Sequence, residues 1–486
     1  MMRVCAAAAL LPVCLQAAVI RGVVVENLMG RPLARAIVVL QPVGSTAASE
    51  RTARANGMGG FEFESLPAGA YILRASRKGF MSSEYGQKRW NSAGTPVVVE
   101  ESETAFVNMR LLRYSAITGR IVDQNDIGLP DQEIVAYRLR TPAEVAVRAR
   151  TDDRGRYRLY GLEPGTYTVR TAAQQYIEDS YLPTFPAATE KLPEARTVDL
   201  FAEQQADGVD VRPVAGSLCS IAVEARSFPP GAVIRLTLAS EMGRTTVLGT
   251  AYQFTGLAPG TYDVYAETNA QPGDNAPAAY QRISVSHDTK VTLLAETPIP
   301  VVIAGAPDGD SGRMWFRHKD LAGTGETFTA ALVHGRAAIP AGRWEVMLQP
   351  PAGYYVSSVM GTGGPQGRAD GWNEIVGRGY IRFSVAAGPG GVRGTVRNSG
   401  DAVAGAPVYL EGWDGPSRKR VGELKTTRTD MRGVYSFDGL APGEYRVLST
   451  FEYSAPEAET MGGAATEVTV DAQAAKTQDL DLYVIR

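Results

Sequence analysis

Three histidines, three cysteines and five tryptophans are the side chains from which a reactive or ligand-holding centre of this 486-residue chain would have to be assembled. None of the histidines has the spacing of a metal ligand. His287 is followed by Asp-Thr-Lys290, His318 by Lys-Asp-Leu321 and His334 by Gly-Arg-Ala337, so no His-x-x-Glu pair is present. Cys5 and Cys14 fall in an apolar amino-terminal stretch, which leaves Cys219 without a partner for an internal disulfide. Ser65 and Ser217 lack a Gly-x-Ser-x-Gly setting. Carboxylates gather in Thr151-Asp152-Asp153-Arg154-Gly155 and Thr429-Asp430-Met431-Arg432-Gly433, but without the alternating ligands of a calcium loop. Aspartate capping of a turn accounts for both. The expectation is no catalytic residue, no metal site and no cofactor.

Tryptophans leave a binding chemistry open. Trp90, Trp315, Trp372 and Trp413 lie in stretches that read as irregular, such as Lys88-Arg-Trp-Asn91 and Gly371-Trp-Asn373. Exposed indoles on the rim of a β-sheet can stack on the apolar faces of sugar rings. These four are therefore the candidate sugar-stacking residues, against the competing reading that they cap the edge of a core.

The elements that must carry these side chains follow from one motif met five times. It reads Phe61-Glu-Phe-Glu-Ser-Leu-Pro-Ala-Gly69-Ala-Tyr71, Tyr157-Arg-Leu-Tyr-Gly-Leu-Glu-Pro-Gly165-Thr-Tyr167 and Tyr252-Gln-Phe-Thr-Gly-Leu-Ala-Pro-Gly260-Thr-Tyr262. A worn copy, Ala338-Ile-Pro-Ala-Gly342-Arg-Trp344, and Tyr435-Ser-Phe-Asp-Gly-Leu-Ala-Pro-Gly443-Glu-Tyr445 complete the set. The glycines recur after 96, 95, 82 and 101 residues, so each period is a small domain. Apolar residues alternate at period two on both sides of the motif, and 52 glycines with 29 prolines keep strands short. An all-β chain follows, a tandem array of about five small antiparallel β-sandwiches. Each Pro-Gly is expected to make a type II turn, and Tyr71, Tyr167, Tyr262, Trp344 and Tyr445 are expected to be framework, with their polar tips near solvent.

We divide the chain into a signal peptide at 1–18 and repeats at 19–113, 114–213, 214–297, 298–387 and 388–486, the third and fourth degenerate. Met1 to Ala18 carries one arginine, a short apolar run and small residues, as a secretory leader does. No later stretch is apolar for long enough to cross a bilayer as a helix. The expected place is exported: periplasmic, outer-membrane-associated or extracellular. A net charge of −3 with interleaved signs argues against nucleic acid. Short linkers predict a semi-rigid rod.

Gly-x-Val near the start of a unit, then Thr-Asp-x-x-Gly-x-Tyr and Gly-Leu-x-Pro-Gly-x-Tyr, resembles the carboxypeptidase regulatory-like domain. That family has a transthyretin-like (prealbumin-like) sandwich related to the Cna B-type repeats of adhesins and to carbohydrate-binding folds. The resemblance is closest over 115–175 and 391–450, clear over 19–80 and weak over 215–385. It implies no peptidase, because the family's label comes from sitting beside a separate zinc domain. It also invites the lysine–asparagine cross-link of some adhesin repeats, but the opening strands Ile20–Val25, Ile117–Val122 and Val392–Arg397 hold no lysine. The expected function is a non-enzymatic exported module with structural, adhesive or protein-interaction work. The alternative is a carbohydrate-binding array, so the partner is an envelope protein or a polysaccharide.

Overall fold

Alternating strands that carry aliphatic side chains on one face can bury them only by stacking two sheets. The computed structural model describes residues 17–44, 50–139, 143–177, 179–268, 277–307, 312–330, 332, 335–361, 372–377, 379–414 and 419–485. The expected leader, apart from its last two residues, and His334 lie outside them.

Among the described residues five main hydrophobic cores follow one another along the chain, from Ala18 to Leu111, Ile117 to Val211, Cys219 to Leu293, Ile299 to Val385 and Val392 to Leu480. Each is held between two small sheets, and they are called units one to five below. In unit five, Gly390–Asn398 pairs with Val434–Leu440 in one sheet. The other sheet runs Lys419–Arg428, Pro407–Asp414, Gly443–Ser449, Thr466–Val470. Unit one repeats this plan, with Ala18–Glu26 against Gly60–Leu66 and Ile37–Pro42 against Gly69–Ser76. The array is mostly antiparallel. Every unit nevertheless has parallel pairing, in which its first strand lies beside a late one, as Ala18–Glu26 does beside Thr104–Leu111, or beside two late ones in unit five, Ala475–Thr477 and Leu480–Asp481. Among the described residues helix is confined to Ala458–Ala464 and one turn at Leu192–Glu194.

The parallel pair explains the glycine of Gly-x-Val. A Cβ on Gly22, Gly119 or Gly394 would stand 1.9, 2.1 or 1.8 Å from the carbonyl oxygen of Val107, Val209 or Gln478 on the segment that runs alongside in parallel. In unit three the equivalent position, opposite Tyr252, is Val223. Val223 is buried and Tyr252 is 46% exposed, whereas Tyr157 and Tyr435, opposite glycines, are 4% and 2% exposed. Drift in unit three thus has a local cause.

The motif's turn differs from the type II expectation. Gly165 and Gly443 have φ of 155°, well beyond that turn's value of about 80°. The left-handed conformation falls four residues earlier, at Gly161, Gly256 and Gly439 with φ of 84°, 68° and 73°, and at Ser65 with φ 56° in unit one. At each of the four, the register against the opening strand slips by one residue. The small residue before Leu is therefore a bulge residue.

Candidate functional site

Each framework aromatic spends its polar atom on its own turn. Tyr71, Tyr167, Tyr262 and Tyr445 donate their hydroxyls to the carbonyl four residues back, at 2.7, 2.9, 2.7 and 2.8 Å. Trp344 donates Nε1 to the Pro340 carbonyl at 2.8 Å, so the worn copy keeps the bond with a different side chain. The tips face backbone rather than solvent. The clustered carboxylates are likewise in use: Asp152 Oδ1 accepts the Arg154 and Arg156 N–H groups, and Asp430 Oδ1 those of Arg432 and Val434. Asn56 does the same in unit one for Met58 and Gly60.

The four candidate tryptophans do not share one site. Trp315 and Trp413 stand within strands, Arg313–Asp320 and Pro407–Asp414, contrary to the irregular setting expected of them. Neither strand, Arg-Met-Trp-Phe-Arg-His-Lys-Asp or Pro-Val-Tyr-Leu-Glu-Gly-Trp-Asp, alternates apolar with polar residues, so periodicity gave no signal. Trp372 precedes a strand and is buried, with the Arg317 guanidinium 4.0 Å above its ring. Arg446 covers Trp413 at 3.4 Å and Arg138 of unit two lies over Trp90 of unit one at 5.7 Å. Arginine stacking therefore occupies one face of three of these indoles.

The position after the framework aromatic is a site that sequence reasoning missed. Ile72, Thr168, Asp263, Glu345 and Arg446 point to the outer face of their sheet, yet all are buried. In unit four Arg317 pairs across strands with Glu345; in unit five Glu411 pairs with Arg446 at the same register, the charges exchanged. The legible signal was a position whose type changes in every copy while its neighbour stays aromatic.

Burial of that outer face comes from neighbouring units as well as from each unit's own side chains. Asp263 of unit three accepts Arg282 twice at 2.7 Å, the Tyr280 hydroxyl, and the Leu321 N–H of unit four. Beside it Arg244 grips Asp320 at 2.8 and 2.7 Å, and His318 Nε2 lies 3.0 Å from Glu267 while stacking on Trp344. Burial works to raise the Glu267 carboxyl, but the His318 hydrogen bond and charge hold it below the usual carboxylate range. The histidine is a joint between units. Units two and three meet where the Tyr137 hydroxyl reaches Met242 Sδ at 2.8 Å, and units one and two where Asn27 donates to Glu203 at 2.9 Å.

Unit five returns to unit one, so the array closes on itself rather than extending as a rod. Ala93 N–H donates to the Phe451 carbonyl and Ser454 N–H to the Asn91 carbonyl, at 3.0 and 2.8 Å. Glu452, 5% exposed, takes Lys88 and Arg89 at 2.9 Å each. Glu84 accepts Arg428 of unit five at 2.8 Å, and Arg74 and the Gly94 N–H of its own unit at 2.9 Å. Burial pushes the Glu84 carboxyl up, but Arg428, the Arg74 bond and the Gly94 bond outweigh it and hold it below its ordinary range. The loop from Glu84 to Thr95 is pinched shut by Gly86 and Gly94: a Cβ on either would strike Thr95 or Glu84. Between the two units lies an open cleft of about 1090 Å³, whose wall includes Trp90, Arg74, Gln41, Thr427, Arg428 and Ser436. Among the described residues no cluster of three or more His, Cys, Asp or Glu side chains could hold a metal. No helix of the described residues is long and apolar enough to cross a membrane.

A family model for the carboxypeptidase regulatory-like domain matches residues 19–112, 116–200 and 391–483, more than half of the chain. No curated protein matches it. Among solved structures it is similar to the TIE protein of Bacillus anthracis, at 15% identity over 57% of this chain and 50% of that one, with a TM-score of 0.19. It is also similar to GBS52, the minor pilin of Streptococcus agalactiae, at 15% identity over 41% of this chain and 97% of that one, TM-score 0.26. BcpA, the major pilin subunit of Bacillus cereus, matches at 11% identity over 76% and 99% of the two chains, TM-score 0.16. The chain thus spans half the length of the first of these, and scores this low mean that whole-chain superposition is poor.

Proposed function

The chain belongs to the carboxypeptidase regulatory-like domain family, and from that premise we propose that it is a non-enzymatic, exported scaffold, a structural, adhesive or protein-interaction module of the cell envelope or its surroundings. The observation that carries this reading is where the polar atoms of the repeated motif go. The turn aromatics and the turn aspartates are bonded into the backbone of their own units, and the buried carboxylates Asp263, Asp320 and Glu452 join one unit to the next. Such an arrangement fixes five surfaces relative to one another, which is what a scaffold requires. It is tested by passing an envelope extract over the immobilised chain, residues 19–486. A retained envelope protein that is competed off by free chain supports the reading, and turnover of a peptide or glycan abolished by a single loop substitution overturns it.

A carbohydrate-binding array is the second reading, and one observation favours it: Trp90 stands in the wall of a polar cleft roomy enough for a sugar. Retention on insoluble polysaccharide that Trp90→Ala abolishes would establish it. Trp413 offers one open face at most, so Trp413→Ala is the weaker arm.

A further inference from the structure

We propose that unit five docks equally on unit one of a second copy, so that two chains exchange their last units and join head to tail through the surface that closes each one. Three observations carry this.

The two halves of the surface belong to separately cored bodies. Unit one is built on the core from Ala18 to Leu111 and unit five on that from Val392 to Leu480, so neither needs the other in order to fold. Their contact is made of surface groups: the loop Glu84–Pro96 on one side, Gly405, Arg428 and Phe451–Ser454 on the other.

Charge makes the surface heterologous. Unit one presents Lys88 and Arg89 to Glu452, and Glu84 to Arg428. Each unit therefore offers both signs in an order that the other complements. The groups on the two sides differ, so the contact is heterologous and pairs unit one with unit five.

The covalent tether is short and held by few bonds. Unit five hangs from unit four by Gly388-Pro389, with the Gly388 N–H bonded to the Gly353 carbonyl of unit four and the Gly388 carbonyl to the Gln473 N–H of unit five. Breaking these bonds lets the link turn and frees unit five without disturbing either core. A tethered partner acts at an effective concentration of order millimolar, so closure within one chain prevails in dilute solution and exchange appears when closure is disabled. The inference does not depend on what the scaffold binds.

The test uses two full chains that cannot close. One carries Glu452→Lys; the other carries Lys88→Glu with Arg89→Glu. Each alone opposes like charges at its own junction and stays monomeric. Mixed, the first chain's unit one meets the native Glu452 of the second, and the second chain's reversed unit one meets the lysine of the first. Light scattering of the equimolar mixture is expected to give twice the mass of either chain, and a mixture that keeps the single-chain mass overturns the proposal. Because Glu452 is nearly buried, its variant is checked by near-ultraviolet circular dichroism. Should it not fold, a Glu84→Arg chain and an Arg428→Glu chain replace the pair, because those two residues form the other ion pair across the junction. Each again opposes like charges alone and matches opposite charges in the mixture, so a doubled mass supports exchange and an unchanged mass refutes it.

Discussion

Two glycines in unit five separate a steric cost from a conformational one. Gly439, the bulge residue, has φ 73° and no atom within 4 Å of where a Cβ would sit. Gly439→Ala therefore meets no clash and bears only the left-handed backbone penalty, about 1–2 kcal/mol. In a unit of this size that lowers the midpoint of its unfolding by roughly 5–15 °C. Gly394→Ala is different, because its Cβ would lie 1.8 Å from the Gln478 carbonyl oxygen, a backbone atom that no rotamer change can move aside. The parallel strand must detach, and with it the bonds from Gln478 N–H to the Arg393 carbonyl and from the Tyr435 hydroxyl to the Gln478 carbonyl. Two lost hydrogen bonds and exposure of Leu480 place the cost at roughly 4 kcal/mol or more, beyond what one small unit is expected to tolerate. Ser65→Gly, at the bulge of unit one, should do the reverse and stabilise by about 1 kcal/mol. Calorimetry of the full chain, with hydrogen exchange to assign each transition to its unit, reads all three. Equal effects of Gly439→Ala and Gly394→Ala, or a silent Gly394→Ala, would refute the reasoning from the close parallel pair.

Tyr445→Phe removes the bond to the Ala441 carbonyl and should cost about 1 kcal/mol in unit five, measured by the same calorimetry. Burial pushes the Tyr262 and Tyr445 phenols up to about 12, from about 10 when unfolded. Folded units hold those protons more tightly, so the stability is complete below pH 10 and is lost as pH rises from about 10 through 12; Tyr262→Phe with Tyr445→Phe should flatten that part of the titration. At the other end of the scale, the Lys88 hydrogen bond, with Arg89, holds the Glu452 carboxyl low against its burial, and Arg428 and Arg74 do so for Glu84. Closure is therefore complete above the undocked value of about 4.5 and is lost as pH falls below it, which sedimentation velocity would register as slower sedimentation by a still folded chain.

How far the sequence was legible depended on whether a residue's job lay inside its own unit. Tyr71, Tyr167, Tyr262, Trp344 and Tyr445 could be recognised as framework because the turn that needs them sits four residues away. Alternation and the Pro/Gly turns made the all-β array readable for the same reason. The left-handed glycine was misplaced because Gly161 and Gly165 stand in one motif, and local turn chemistry favours the second while pairing with a strand some 40 residues earlier requires the first. Trp315 and Trp413 were read as lying in irregular stretches because their strands do not alternate apolar with polar residues, and the arginines stacked on Trp90, Trp372 and Trp413 come from other strands or another unit. Least legible was the junction of Glu84, Lys88 and Arg89 with Arg428 and Glu452, more than 340 residues away in sequence. No local pattern announces that contact. It arises only once every inter-unit angle is set.

Small-angle scattering of the full chain tests that closure most directly. Five units of this size in line would give a radius of gyration of about 47 Å, and the same units closed in a ring about 30 Å. The account predicts the smaller value at neutral pH for the wild-type chain and a move toward the larger one for Glu452→Lys. A wild-type value near that of the rod, unchanged by the substitution, would contradict it.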